Sequence, residues 1–238
     1  MTQTVSSSLD PVELTQALIR INSVNPDLVP NGAGEAEIAT WCAAWFSAHG
    51  FDVSMLGSAD RPTVVGVARG AGGGRCLLLN GHVDTVGVAG YVGDPFAGEV
   101  RDGNVFGRGA FDMKAGVAAI MVAAARAKDA KLAGDVIVTL VADEEFGSRG
   151  TGDALAAFTA DAAIVTEPSE LNLVLAHRGF AWFEIELTGL AAHGSMPHQG
   201  VDAIAHAGLV MVAIKGLQDR LDALPAHPLL GHGAVRVS

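Results

Sequence analysis

The sequence predicts an α/β fold: a mostly parallel sheet flanked by helices, followed by the first part of a smaller α+β unit. Three observations carry that expectation. Short apolar runs such as "CLLLN", "DVIVTLVAD" and "AAIVTEP" are continuous, as strands buried on both faces tend to be. Helical patterns fall between them, and strands alternating with helices build parallel sheets. After about residue 176 the pattern changes. In "FAWFEIELTG", Phe183, Ile185 and Leu187 alternate with Glu184, Glu186 and Thr188, the period of a strand with one wet face. The expected domains are therefore 1–176 and an unfinished 177–238.

The elements follow in order. Asp10 as N-cap, Pro11 at the first helical position and Glu13 three residues after the cap open a helix. Its inner face carries Leu14, Leu18 and Ile21, and it stops before Asn25-Pro26. A second helix runs from about Glu35 to Ala48, with Ile38, Trp41, Cys42 and Trp45 inward and Gly50 placed to end it. "GFDVSML" and "TVVGVARG" read as strands. "GAGGGR" at 70–75 precedes a strand, whereas a phosphate loop follows one, so a turn is expected there. "GEVRDGNVFGRG" reads as a hairpin turned by Asp102-Gly103. A buried helix is expected from about Met113 to Ala127, another near 151–158, and a last one from about Val201 to Leu221. "GAVRVS" looks like a strand beginning.

Composition narrows the function. Half of the 238 residues are hydrophobic and 17% are charged, enough for a sizeable core. Fifteen Lys and Arg against 26 Asp and Glu give a net charge of −11, which argues against a nucleic-acid binder. Cys42 and Cys76, the only cysteines, read as buried free thiols rather than a disulfide framework or a zinc knuckle. Neither a secretory signal nor a membrane-length apolar run is evident, so a cytoplasmic protein without a membrane partner is expected.

The chemistry-bearing residues collect where apolar segments stop. His82 and Asp84 follow the leucine strand, Asp143, Glu144 and Glu145 follow "VIVTLVA", and Glu167 follows "AIVT". Asp112 sits at the mouth of the buried helix in "GRGAFDMKAG". Parallel strands bring these groups to one sheet edge, where open α/β sheets bind ligands. Each has a plainer reading alone: a loop histidine, an acidic helix start, an N-cap for Asp112. Their coincidence favours a metal site, because carboxylates brought this close repel one another without a cation. Imidazole with carboxylates suits zinc, cobalt or manganese better than calcium or magnesium. Asp112 can bridge two ions, and Asp84 is placed to orient the His82 ring. Of the paired glutamates, one can bind metal while its neighbour handles protons.

"GHVDTV", "GRGAFDMKAG", "ADEEFGS" and "TEP" together resemble the successive motifs of the dizinc M20 metallopeptidases. That family includes acetylornithine deacetylase, succinyl-diaminopimelate desuccinylase, aminoacylases and the carboxypeptidase G2 group. "AAHGSMPHQGVDAIAHA" is similar to the histidine segment of its smaller, dimer-forming lid. The resemblance implies a catalytic domain of the zinc-exopeptidase type followed by part of a lid. It implies two Zn2+ ions, with Co2+ or Mn2+ as substitutes. His82 and Glu167 would hold one ion, Glu145 the other, and Asp112 both, with Asp84 orienting His82. Glu144 would take a proton from the attacking water and pass it to the leaving amine, and His193 would stabilise the oxyanion in a partner subunit's site. The implied substrate is an N-acyl amino acid or short peptide, and the implied assembly a homodimer through the lid. The family's last histidine ligand lies on a returning segment. Histidines 49, 177, 198, 206, 227 and 232 do not match its motif, so the chain is expected to be a fragment. The alternative is a non-catalytic binding or dimerisation protein, or an inactive fragment lacking that ligand.

Overall fold

A computed structural model of the chain describes residues 8–237. It divides into two compact units, the first ending at Leu171 and the second beginning at Asn172, slightly ahead of the change in pattern at 176.

The first unit is built on a five-stranded sheet. Its strands are β1 (Asp52–Gly57), β2 (Pro62–Ala68), β3 (Leu77–His82), β6 (Val136–Val141) and β7 (Ala162–Val165), in the order β1-β2-β6-β3-β7. β3 pairs in parallel with both β6 and β7, while β2 runs antiparallel to β1 and β6. Four of the five strands therefore point the same way. β2 and β6 are buried along their whole length, which is why they read as unbroken apolar runs. The hairpin β4 (Glu99–Arg101) and β5 (Asn104–Phe106) turns on Asp102 and Gly103, both at positive φ, as a two-residue loop between twisted strands requires.

Helices α1 (Pro11–Ile19), α2 (Ala36–Ala48), α3 (Ala115–Asp129) and α4 (Arg149–Ala157) complete this unit. Asp10 caps α1 by accepting the Val12 N–H at 2.8 Å. Leu14, Leu18, Ile38, Trp45, Phe46, Val117 and Met121 are fully buried and share one core cluster with Val64, Val138 and Leu140. Cys42 is buried as expected, whereas Cys76 is only half-buried. α3 starts later than the periodicity suggests, because a wider turn over Ala110–Lys114 precedes it. Lys114 is fully buried in that turn, and its ammonium donates to the carbonyls of Leu18 and Ile21 at 3.0 and 2.9 Å. It thus satisfies the Ile21 carbonyl just past α1 and joins the Ile21 N–H on the Leu18 carbonyl. Gly116 lets α3 approach the residue that follows β7: a Cβ there would lie 2.5 Å from the Thr166 carbonyl oxygen.

The second unit contains α5 (Ala203–Asp222), whose N-cap Asp202 accepts the Ala205 N–H, and a short turn at Pro197–Gln199. Two strand expectations fail here. "FAWFEIELTG" is not a strand, and only Leu190 beyond it forms an isolated bridge, to Val201. Residues 233–237 of "GAVRVS" are likewise irregular. The physical reason is the same for both. A strand exists by pairing, and among the described residues neither segment has a partner ladder. No described helix is long and apolar enough to cross a membrane.

Candidate metal centre

The sheet register assembles the site. His82 is the last residue of β3 and pairs with Val141 of β6, so Asp143, Glu144 and Glu145 emerge just beyond it. On the other flank Asn80 pairs with Val165, and the Thr166 N–H continues onto the Asn80 carbonyl at 3.2 Å. One more step along that register sets Glu167 beside His82. The turn before α3 brings in Asp112, whose carboxylate lies 2.9 Å from His82 Nε2. Lys114, not Asp112, occupies the N-cap position of α3, so the capping reading of Asp112 fails and its side chain faces the histidine.

His82 and Asp84 form the floor of the site, at 1% and 0% exposure. His82 Nδ1 donates to the Asp84 backbone carbonyl at 3.0 Å and lies 3.5 Å from the Asp84 carboxylate. A carbonyl only accepts, so the proton is fixed on Nδ1 and Nε2 is turned toward the acids. Nε2 lies 3.8 Å from Glu144 Oε2 and 3.7 Å from Glu167 Oε1. The carboxylates of Asp112, Glu144 and Glu167 are about half exposed, so the acids form an open rim over a buried base.

Asp84 does more than orient the ring. Its carboxylate accepts the backbone N–H groups of Glu144 and Glu145, each at 3.1 Å, and the Asn25 amide at 2.8 Å. Burial alone would raise its pKa, but hydrogen bonds from His82 and Asn25 hold it below the usual carboxylate range.

The acids strain against one another. Burial pushes Glu145 up to about 7, and the charges of Asp112, Asp84 and Glu144 add to the push. Glu167 is raised by burial, then by Asp112 and Glu144, against the opposing pull of His82. For His82, burial opposes the charge, yet Asp112 and Asp84 outweigh it and drive the imidazole up to about 11. The site is thus a negative field that recruits positive charge. A proton on Nε2 and a metal cation answer the same demand.

Two overlapping sets of donors lie within 4.8 Å of each other: His82, Glu144 and Glu167, and His82, Asp112 and Glu145. One imidazole with several carboxylates is a donor set that fits zinc. His82, Asp112, Glu144, Glu145 and Glu167 therefore meet, with Asp84 beneath them, while the Asp143 carboxylate is taken up by Asn25, Arg61 and Arg149. His193 belongs to the second unit, where it is exposed; its Nδ1 accepts the Ser195 N–H at 3.2 Å. Sequence reasoning missed Asn25, Glu35 and Arg61 as parts of the site. In the sequence Asn25 marks only a helix stop and Glu35 only a helix start.

A mostly parallel sheet edge carrying a histidine and clustered carboxylates defines the class: an α/β domain with a candidate metal centre. Comparison with known proteins narrows it. The model of peptidase family M20/M25/M40 matches residues 78–225. A succinyl-diaminopimelate desuccinylase 2 from Ruegeria sp. is 31% identical over 207 residues, covering 81% of this chain and 51% of that protein. The fold is similar to a tripeptidase from Staphylococcus aureus, at a TM-score of 0.61 and 20% identity over 90% of this chain and 58% of that one. It is also similar to an M20 family metallo-carboxypeptidase from Sulfolobus solfataricus, at a TM-score of 0.58 and 20% identity, covering 66% and 37%. The chain belongs to peptidase family M20/M25/M40. It spans about half the length of the desuccinylase it matches.

Proposed function

We propose that the protein hydrolyses an amide bond, removing the acyl group from an N-acyl amino acid or cleaving a short peptide. The observation that carries this is the convergence of His82 with Asp112, Glu144, Glu145 and Glu167 from separate chain segments. In this reading His82 and Glu167 would hold one zinc ion and Glu145 the other, with Asp112 a ligand available to both. Bound there, zinc supplies Lewis acidity and a more acidic water. Asp84 keeps His82 in one tautomer and the glutamate pair in place. Glu144, half exposed at the rim, accepts a proton on its carboxylate and returns it to the leaving nitrogen. Ser195 donates to His193 Nδ1, which leaves the proton on Nε2, suited to donate to an oxyanion. The named activity of the desuccinylase relative supports deacylation. A homodimer through residues 177–238 and a cytoplasmic location belong to the same reading.

The test assays N-succinyl and N-acetyl amino acids and dipeptides together with zinc content. Glu144→Gln should lower kcat by about 10²–10⁴-fold with zinc retained, and His193→Ala should lower kcat without loss of metal. A Glu144→Gln protein with undiminished turnover overturns the assignment.

A further inference from the structure

We infer that Asn25 and Arg61 are positioning residues of this centre, gripping the Glu144–Glu145 segment through the buried carboxylates of Asp84 and Asp143. The inference rests on reading the site as a metal centre. The Asn25 amide nitrogen donates to Asp84 Oδ2 at 2.8 Å and to Asp143 Oδ1 at 3.1 Å, bridging the two acids. Arg61 holds Asp143 from the other side: Nη2 donates to Asp143 Oδ1 at 2.9 Å and to Glu35 Oε1 at 3.0 Å, while Nε donates to Glu35 Oε2 at 2.5 Å. Its Nη1 reaches Asp27 at 2.6 Å. Glu35 in turn accepts the Asp143 N–H at 3.2 Å. Asp143 is thus held by both side chain and backbone.

That grip falls where the chain needs it. Asp143 has a φ of +62°, a left-handed conformation that non-glycine residues adopt only when their surroundings enforce it. It is the corner between β6 and the two glutamates, whose N–H groups end on Asp84. Glu35, Asp84 and Asp143 are all fully buried. Apolar residues of similar volume generally give as much stability as a buried ionic network, so what such a network adds here is a fixed geometry. Arginine suits the task because its planar fork meets Glu35 and Asp143 together, which an ammonium cannot do.

The test compares the wild-type chain with Asn25→Ala and Arg61→Met, and with the milder Asn25→Gln, which keeps an amide donor, and Arg61→Lys should the first pair not fold. Amide hydrogen exchange is read in the metal-free protein, and Co2+ affinity by chelator competition. Amides of Glu144 and Glu145 should exchange about tenfold faster while Leu79 and Val138 stay within about twofold. Co2+ affinity should fall about 10–100-fold, with Arg61→Lys failing to restore it. Unchanged exchange at Glu144 and Glu145, or equal acceleration across β3 and β6, overturns the inference as a mere stability effect. A wild-type chain that binds no Co2+ overturns the metal reading instead, and the exchange pattern still judges the network.

Discussion

Strand β6 and the segment Phe180–Gly189 are both rich in apolar and β-forming residues, and their fates differ. β6 lies between β2 and β3, paired on both edges and buried at every position. In the second segment Phe180, Trp182 and Phe183 are more than 80% exposed, and no ladder forms. The difference teaches what a hydrophobic pattern encodes. It names the face a segment can bury, while the strand itself comes from neighbours that satisfy its backbone. The first unit brings those neighbours together from distant parts of the chain.

The comparison breaks most severely at Lys114, whose burial is tolerated only because its ammonium is paired. Lys114→Met leaves the Ile21 carbonyl without its donor, while the Leu18 carbonyl keeps the Ile21 N–H at 3.2 Å, so urea unfolding of the first unit should lose about 1–3 kcal/mol. A loss below about 1 kcal/mol would show that water reaches that carbonyl. A smaller effect is expected at Gly116. Alanine gains about 1 kcal/mol in helix propensity, but its Cβ would press on the Thr166 carbonyl at 2.5 Å and overpacking costs about 1–3 kcal/mol. The clash should win, with a net loss on the order of 1 kcal/mol and weaker metal binding as Glu167 shifts. The smallest change sharpens the other side of the comparison. Trp182→Phe should alter stability by less than about 0.5 kcal/mol and remove most acrylamide-quenchable fluorescence, since Trp41 and Trp45 are buried. Quenching that persists in the variant would contradict that contrast.

Much of the first unit was legible because its strands are continuous apolar runs and its helices carry ordinary caps. His82, Asp84, Asp112, Glu144, Glu145 and Glu167 were legible because each stands where such an element stops. The support behind them was not. Arg61 sits in "SADRP" and Asn25 in "INSVNP", loops with no periodicity, and only the crossing of the sheet brings them to Asp143. Lys114 reads as an ordinary charge at a helix start, because one-dimensional patterns say nothing of the carbonyls waiting at the end of α1. The alternation in "FAWFEIELTG" was a true pattern that implied a strand only on the assumption of a partner.

The order of strands also sets a clock. β3 precedes β6 and β7 in the chain but lies between them in the sheet, so during synthesis His82 emerges long before the acids that will surround it. Glu145 completes one donor set with His82 and Asp112, and Glu167 completes the other. At about 5–20 residues per second, the second set becomes possible on the order of one to four seconds after the first. A growing chain therefore holds the residues of the His82, Asp112 and Glu145 donor set before Glu167 has been made.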